Sequence, residues 1–199
     1  MWKSLAATFA IALALTLARE IGTNDVAHAA TLRPLLLDEV IDSAAVGFHG
    51  KCVSNRVELD TATRFIVTYT TFEVRDVLKG DVAATHVIKQ IGGVLPDGVS
   101  GMVVPGVPTY AVGEEYVVFL AGVSSLGFSS PVGLSQGSFA VQTGKTGKAI
   151  VTSRDLRELT SNMPRADLSA EVVNSAQPFR QIPLSDFKRL ARTHATRLP

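Results

Sequence analysis

One stretch narrows the fold more than any other. From Arg64 to Leu78 the chain carries Phe65, Ile66, Val67, Thr68, Tyr69, Thr70, Thr71, Phe72 and Val74, nearly all β-branched or aromatic. These residue types suit a pleated, half-buried surface, so the run predicts a strand. A strand this long bends or bulges and serves two parts of a barrel or sandwich. In its second half Phe72 and Val74 alternate with Glu73 and Arg75, which leaves one face wet; in its first half both faces read as apolar. Leu78-Lys79-Gly80-Asp81 ends it in a turn.

The rest of the chain supplies partners of the same kind. Leu35, Leu36, Leu37, Val40 and Ile41 fall near helical spacing, with Pro34 suited to a first turn, and predict a short helix over 34–43. Residues 45–53 alternate as a strand, 85–91 form another closed by Gly92-Gly93, and 116–121 read as a strand apolar on both faces, hence central. Residues 138–143 and 148–152 flank Gly144-Lys145-Thr146-Gly147 as a hairpin. Two loops stand out by composition, 95–109 and 122–131; the first holds many apolar residues and either folds back on the barrel or covers a site. Residues 154–161 suggest one or two helical turns, 162–181 a linker, and Ser185 the cap of a helix to about Thr193. Phe187, Leu190, Ala191 and His194 form the stripe of that helix.

The N-terminus predicts export. Lys3 precedes an uncharged, mostly apolar run from Leu5 to Ala18, too short for the roughly 20 residues of a membrane span. Ala27-His28-Ala29 then offers a small-x-small cleavage site, with Thr16-Leu17-Ala18 as an earlier alternative. The expected organisation is a signal peptide over 1–29, a β domain with a short leading helix over 30–153, and a linker with a C-terminal helix over 154–199. No later segment reaches span length, so the mature product is expected to be soluble, and secreted or periplasmic. A formal charge of +1 offers no electrostatic reason for a nucleic-acid partner. Cys52 is the single cysteine, so an internal disulfide is excluded and the core alone must hold the fold. Its alternation with Val46, Phe48 and Gly50 points it inward as a structural thiol.

Motifs that suggest chemistry fail on context. Gly133-Leu134-Ser135-Gln136-Gly137 matches G-x-S-x-G, and Asp155, Asp167 or Asp186 followed by His194 would keep the hydrolase order. A nucleophile elbow needs a strand before the serine and a helix after it, whereas loop residues precede Ser135 and Phe139-Ala140-Val141 follows as a strand. Gly144-Lys145-Thr146 lacks the earlier glycine of a P-loop, since Phe139 stands there. His28, His49, His86 and His194 are isolated from other ligand types, so no metal site and no cofactor are expected. Asp97, Glu114 and Glu115 are the acidic residues able to gather near the loops.

One spaced pattern carries a resemblance. Thr70-x-Phe72-x-Val74-x-x-Val77-Leu78-Lys79-Gly80 is followed by Gly92-Gly93, then by Gly113-Glu114-Glu115-Tyr116-Val117-Val118-Phe119-Leu120. Gln136-Gly137-Ser138-Phe139 and Pro183-Leu184-Ser185-x-Phe187 complete it. This resembles a loose group of uncharacterised exported bacterial β-domain proteins and, more distantly, is similar to the OB-type barrel of netrin-like and metalloproteinase-inhibitor modules. The likeness spans residues 45–141. Such inhibitors use an N-terminal Cys on the target's zinc together with disulfides, and this chain has neither, so the resemblance implies a fold and no inhibitor residue.

The sequence thus predicts a mainly β fold, a small OB-like barrel or compact sandwich with a short N-terminal helix and a C-terminal helix. The expected function is an exported binding or interaction module for an unknown protein or small ligand, without catalysis. A secreted hydrolase using Ser135 and a netrin-like protease inhibitor are the alternatives.

Overall fold

The computed structural model describes residues 33–145, 147, 149–153, 156–161 and 181–196. The predicted signal peptide with its two cleavage sites, and the predicted linker up to residue 180, lie outside the described residues. The chain order is α1 (Leu37–Ser43), β1 (Val46–Leu59), β2 (Ile66–Lys79), β3 (Thr85–Ile91), β4 (Gly93–Val94), β5 (Gly101–Met102) and β6 (Glu115–Leu120). A 3₁₀ turn (Leu134–Gly137), β7 (Ser138–Thr143), β8 (Ala149–Thr152), α2 (Leu156–Leu159), β9 (Ile182–Pro183) and α3 (Leu184–Thr196) follow. The fold is mainly β with a short leading helix and a C-terminal helix, as the sequence predicts. No helix among the described residues is long and apolar enough to cross a membrane.

Among the described residues, one antiparallel sheet runs β3-β2-β1-β6-β7-β8-β9, and β4 and β5 make a separate hairpin. The long strand bulges, as expected: Leu78 and Arg75 are its extra residues opposite Gly47/Phe48 and His49/Gly50, and a third irregularity, at Cys52/Ser54, puts the extra residue Val53 on its partner β1. Past the last of these, β1 continues to Leu59, six residues beyond the sequence-based boundary. There the alternation of β1 dissolves into Ser54, Asn55, Arg56 and Glu58; pairing with the first half of β2, not local pattern, keeps this segment extended. The segment 129–132 reaches both ends of the curl. Ser130 and Phe119 carbonyls accept from Ala121 and Val132, while the Ser129 N–H donates to the Lys89 carbonyl of β3 at 3.0 Å. This ties β3 back toward β6, consistent with OB-like closure.

β6 is central, buried on both faces from Val117 to Leu120. Val117 and Phe119 point to one side, into a core with Phe139, Val151, Leu156, Leu159, Ile182, Phe187 and Ala191, covered by α1 and α3. Val118 and Leu120 point to the other, with Phe48, Cys52, Phe72, Ile88 and Tyr110. α1 begins at Leu37, three residues past Pro34. The Glu39 carboxylate accepts from the Leu36 N–H at 2.8 Å and so stops the helix extending back. Ser185 lies inside α3 rather than capping it, because the chain leaves β9 at Pro183 and turns directly into the helix. Phe187 and Ala191 of the predicted stripe are fully buried; His194 instead reaches Asp42 of α1 at 2.7 Å. The short strands β4, β5 and β9 have too little local pattern to be read from sequence.

At the margin of the helix-covered core, His49 is 5% exposed and its Nε2 lies 2.9 Å from Glu115. Burial, helped by the Lys188 charge on α3, pushes its pKa down against the opposing pull of Glu115 and Asp76. The neutral imidazole is favoured more than in a free histidine, and Nδ1 has no partner among the described residues. Burial pushes His86 down as well. Both side chains take up a proton more readily in the unfolded chain, whose histidines titrate at about 6.5. The stability they contribute is complete above that pH and is lost as the pH falls toward their folded values. Urea unfolding between pH 7.5 and 5 should show a falling midpoint, with a slope of up to about 1.4 kcal/mol per pH unit for each histidine. His49→Gln should flatten the slope; an unchanged profile would refute the assignment.

Candidate functional site

The inner face of the sheet, the one that carries Phe72, changes character along β1, β2 and β3. Cys52, Phe72 and His86 stand opposite one another across the strands, and Asn55, Thr70 and Ile88 form the next row. Val57, Thr68 and Gln90 form the row after that. Aromatic packing therefore fills one end of this face, while hydroxyl and amide groups occupy the other. The sequence-based expectation that both faces of the first half of β2 are apolar is corrected here. Thr68 and Thr70 are the inward residues, and their methyl groups account for the β-branched signal that hid the polar row.

The segment after β3 is laid over this polar end. Gly92 and Gly93 turn the chain with φ of +100° and +137°. A Cβ on Gly93 would stand 2.5 Å from Thr68 Oγ1 and 2.7 Å from Val57 Cγ1, so only glycine allows the crossing. The Thr68 hydroxyl locks it by donating to the Gly92 carbonyl at 2.6 Å. The β4–β5 hairpin is closed by Asp97, whose Oδ1 accepts from the Val99 and Ser100 amides, both at 2.9 Å. Val104-Pro105-Gly106-Val107 then forms a turn with the Val107 N–H on the Val104 carbonyl, Pro at its second position and Gly106 at φ +85°. The segment is pinned at Tyr110. Its ring meets Phe72 and Tyr116 edge-on at centroid distances of 5.0 and 4.9 Å, and its carbonyl accepts from Asn55 Nδ2 at 2.6 Å.

Between the covering segment and the sheet is a cavity of about 330 Å³. Its walls are largely apolar, with Val57, Ile91, Met102, Val104 and Val107 among them, and no lining residue carries a formal charge. The polar groups of its floor are mostly engaged within the protein. Thr70 donates to Asn55 Oδ1 at 2.7 Å, Asn55 to Tyr110, and Thr68 to Gly92. On the floor Gln90 is the exception, and on the covering segment the Tyr110 hydroxyl is a second buried group without a partner among the described residues. Gln90 is 3% exposed, and its Nε2 has no hydrogen-bond partner among the described residues.

The residues singled out from sequence do not form this site. Ser135 sits in the 3₁₀ turn and lines a second, wider groove of about 500 Å³ with Tyr116, Ser138 and Thr152. No histidine or carboxylate lines that groove among the described residues; His49 bonds Glu115 and His194 bonds Asp42. Of the acids proposed to complete a triad, Asp155 and Asp167 lie outside the described residues and Asp186 pairs with Arg189 on its own helix. Asp97 serves its hairpin and Glu115 serves His49 and Arg75, so Asp97, Glu114 and Glu115 show no shared role. Cys52 is fully buried and burial pushes its thiol pKa up, the behaviour expected of a structural cysteine. Among the described residues no three His, Cys, Asp or Glu side chains are placed to hold a metal ion.

The loop 95–109 folds back over the sheet and covers a cavity, and Gln90 is a lining residue that the sequence reading does not single out. Its signal was present: in β3 it shares the inward alternation of His86 and Ile88, where an apolar residue is expected. Compared with protein-family models and with curated protein sequences, the chain matches none.

Proposed function

We propose that this chain is an exported binding module that holds a small molecule in the cavity beneath residues 92–110. The observation that carries the proposal is the cavity itself, apolar in its walls and provided with one buried, unpaired side-chain amide. Its volume falls at the small end of the roughly 300–1,000 Å³ typical of ligand pockets, which combine apolar linings with a few placed polar groups. The binding part of the proposal accords with loops on a rigid β scaffold. The export part rests on the leader-like N-terminus and on the likeness to exported bacterial β-domain proteins. It predicts that N-terminal sequencing of the secreted or periplasmic product begins at Ala30.

Binding is tested with N-phenyl-1-naphthylamine, a neutral apolar fluorophore that brightens on leaving water. The purified protein should give a saturable signal at one site per chain. Val104→Phe fills the cavity from its loop side and should abolish that signal while leaving the melting temperature within a few degrees. Absence of saturable binding, or binding indifferent to Val104→Phe, would remove the proposal.

A further inference from the structure

Among the described residues two glutamines are buried, and they are treated differently. Gln136 is 6% exposed, and both ends of its amide are used. Its Oε1 accepts from the Leu35 N–H at 2.7 Å, and its Nε2 donates to the Arg33 carbonyl at 3.2 Å. It fastens the segment before α1 to the 3₁₀ turn, an ordinary structural role. Gln90 is more deeply buried, yet its Nε2 meets no acceptor of the protein among the described residues. Buried polar groups are nearly always paired, because an unpaired one carries its full desolvation penalty. In the same line on β3, Ile88 packs into the core; an aliphatic residue at position 90 would extend that packing without the penalty. Gln90 instead places a buried amide in the lining of a cavity where the Thr68 and Thr70 hydroxyl protons are already committed.

We infer that the ligand of this cavity is a small, neutral, mainly apolar molecule whose polar end presents a carbonyl or hydroxyl oxygen to Gln90 Nε2. This inference rests on the binding function proposed above and adds the ligand's chemical class. The requirement for an oxygen acceptor follows from the unpaired N–H. Neutrality follows from the lining. No formal positive charge faces the cavity, so a carboxylate or phosphate would lose its hydration for a single neutral amide, and a cation would meet no carboxylate. The apolar body follows from the Val57, Ile91, Met102, Val104 and Val107 walls. Gln90 is thus the anchoring residue and sets orientation, since on the strands of the floor it is the donor that lacks a protein acceptor; the other unpartnered group of the lining, the Tyr110 hydroxyl, belongs to the covering segment and lies toward Ser138.

Three naphthalenes of one shape test this, each measured by displacement of N-phenyl-1-naphthylamine: 2-acetylnaphthalene with a carbonyl, 2-ethylnaphthalene without one, and 2-naphthoate with a charge. The wild-type protein should bind the ketone roughly five- to tenfold tighter than the hydrocarbon, the worth of one buried neutral hydrogen bond. It should bind the carboxylate most weakly. Gln90→Met keeps the length and removes the donor; it should bind ketone and hydrocarbon equally well. Its urea midpoint should equal or exceed that of the wild type, because a buried unpaired amide is gone. Equal binding of ketone and hydrocarbon by the wild type, or preference for 2-naphthoate, overturns the inference and leaves the binding function standing. Failure of the folded wild type to bind the fluorophore or any naphthalene overturns both.

Discussion

Phe119→Ala should destabilise the protein by about 3–5 kcal/mol, the range for truncating a fully buried aromatic ring. Phe119 has no exposed surface and stands in the middle of β6. Its ring meets Phe139 edge-on at 6.2 Å and Phe187 of α3 at 6.4 Å. A Cβ on Gly47 would stand 2.5 Å from Phe119 Cδ1, so the neighbouring strand has been cleared to seat the ring. Removing it leaves a hole shared by the sheet and α3, and the domain has no disulfide to compensate, because its single cysteine is free. Since whole domains are commonly stable by only about 5–15 kcal/mol, the variant should be largely unfolded in mild urea. Circular dichroism during urea titration provides the measurement, and Phe119→Leu should recover part of the loss. A deficit below about 1 kcal/mol would mean that this ring is not central to the helix-covered core.

The second large effect concerns the Gly-Leu-Ser-Gln-Gly sequence. A Cβ at Gly137 would stand 2.8 Å from the Phe119 carbonyl oxygen and from both the nitrogen and oxygen of Val132. All three are backbone atoms, so nothing can swing aside. Gly133 has a φ of +59°, a left-handed conformation that glycine adopts readily. Both glycines of the motif thus have structural reasons unconnected with a nucleophile. Gly137→Ala should cost about 1–3 kcal/mol in unfolding experiments, through overpacking against fixed backbone. Ser135→Ala, in a half-exposed turn, should stay within about 0.5 kcal/mol of wild type. A fluorophosphonate probe should label neither the wild type nor Ser135→Ala. Labelling of the wild type that Ser135→Ala abolishes would restore the hydrolase alternative.

Most of the elements were legible, and the reason is local. β-branched and aromatic composition identified β2, a run apolar on both faces identified β6, and the Gly-bounded tight turn identified β7; Cys52 was expected to point inward and does. Glycine and proline marked the turn after β2 and the loop between β3 and β6. What was hidden depended on partners far along the chain. The second half of β1 has a polar sequence and is extended only because β2 lies beside it. The 3₁₀ turn at Leu134–Gly137 is held by the Leu35 N–H on Gln136, a contact across 101 positions.

The long β-branched run from Arg64 to Leu78 determines by itself that this chain builds a twisted sheet. Side chains alternating across a strand need no distant information to choose their sides. The same run does not say which end of its inner face packs into a core and which end closes over a cavity. That was decided by the bulge between Cys52 and Ser54 and by the crossing at Gly92-Gly93. Together they set Val57, Thr68 and Gln90 in one row and place residues 92–110 above it. Register between strands and the path of a covering loop are non-local, set by packing once the chain has closed on itself. An amide that looks like one more polar residue in the sequence therefore becomes, in the folded protein, a buried, unpaired group in the lining of a cavity.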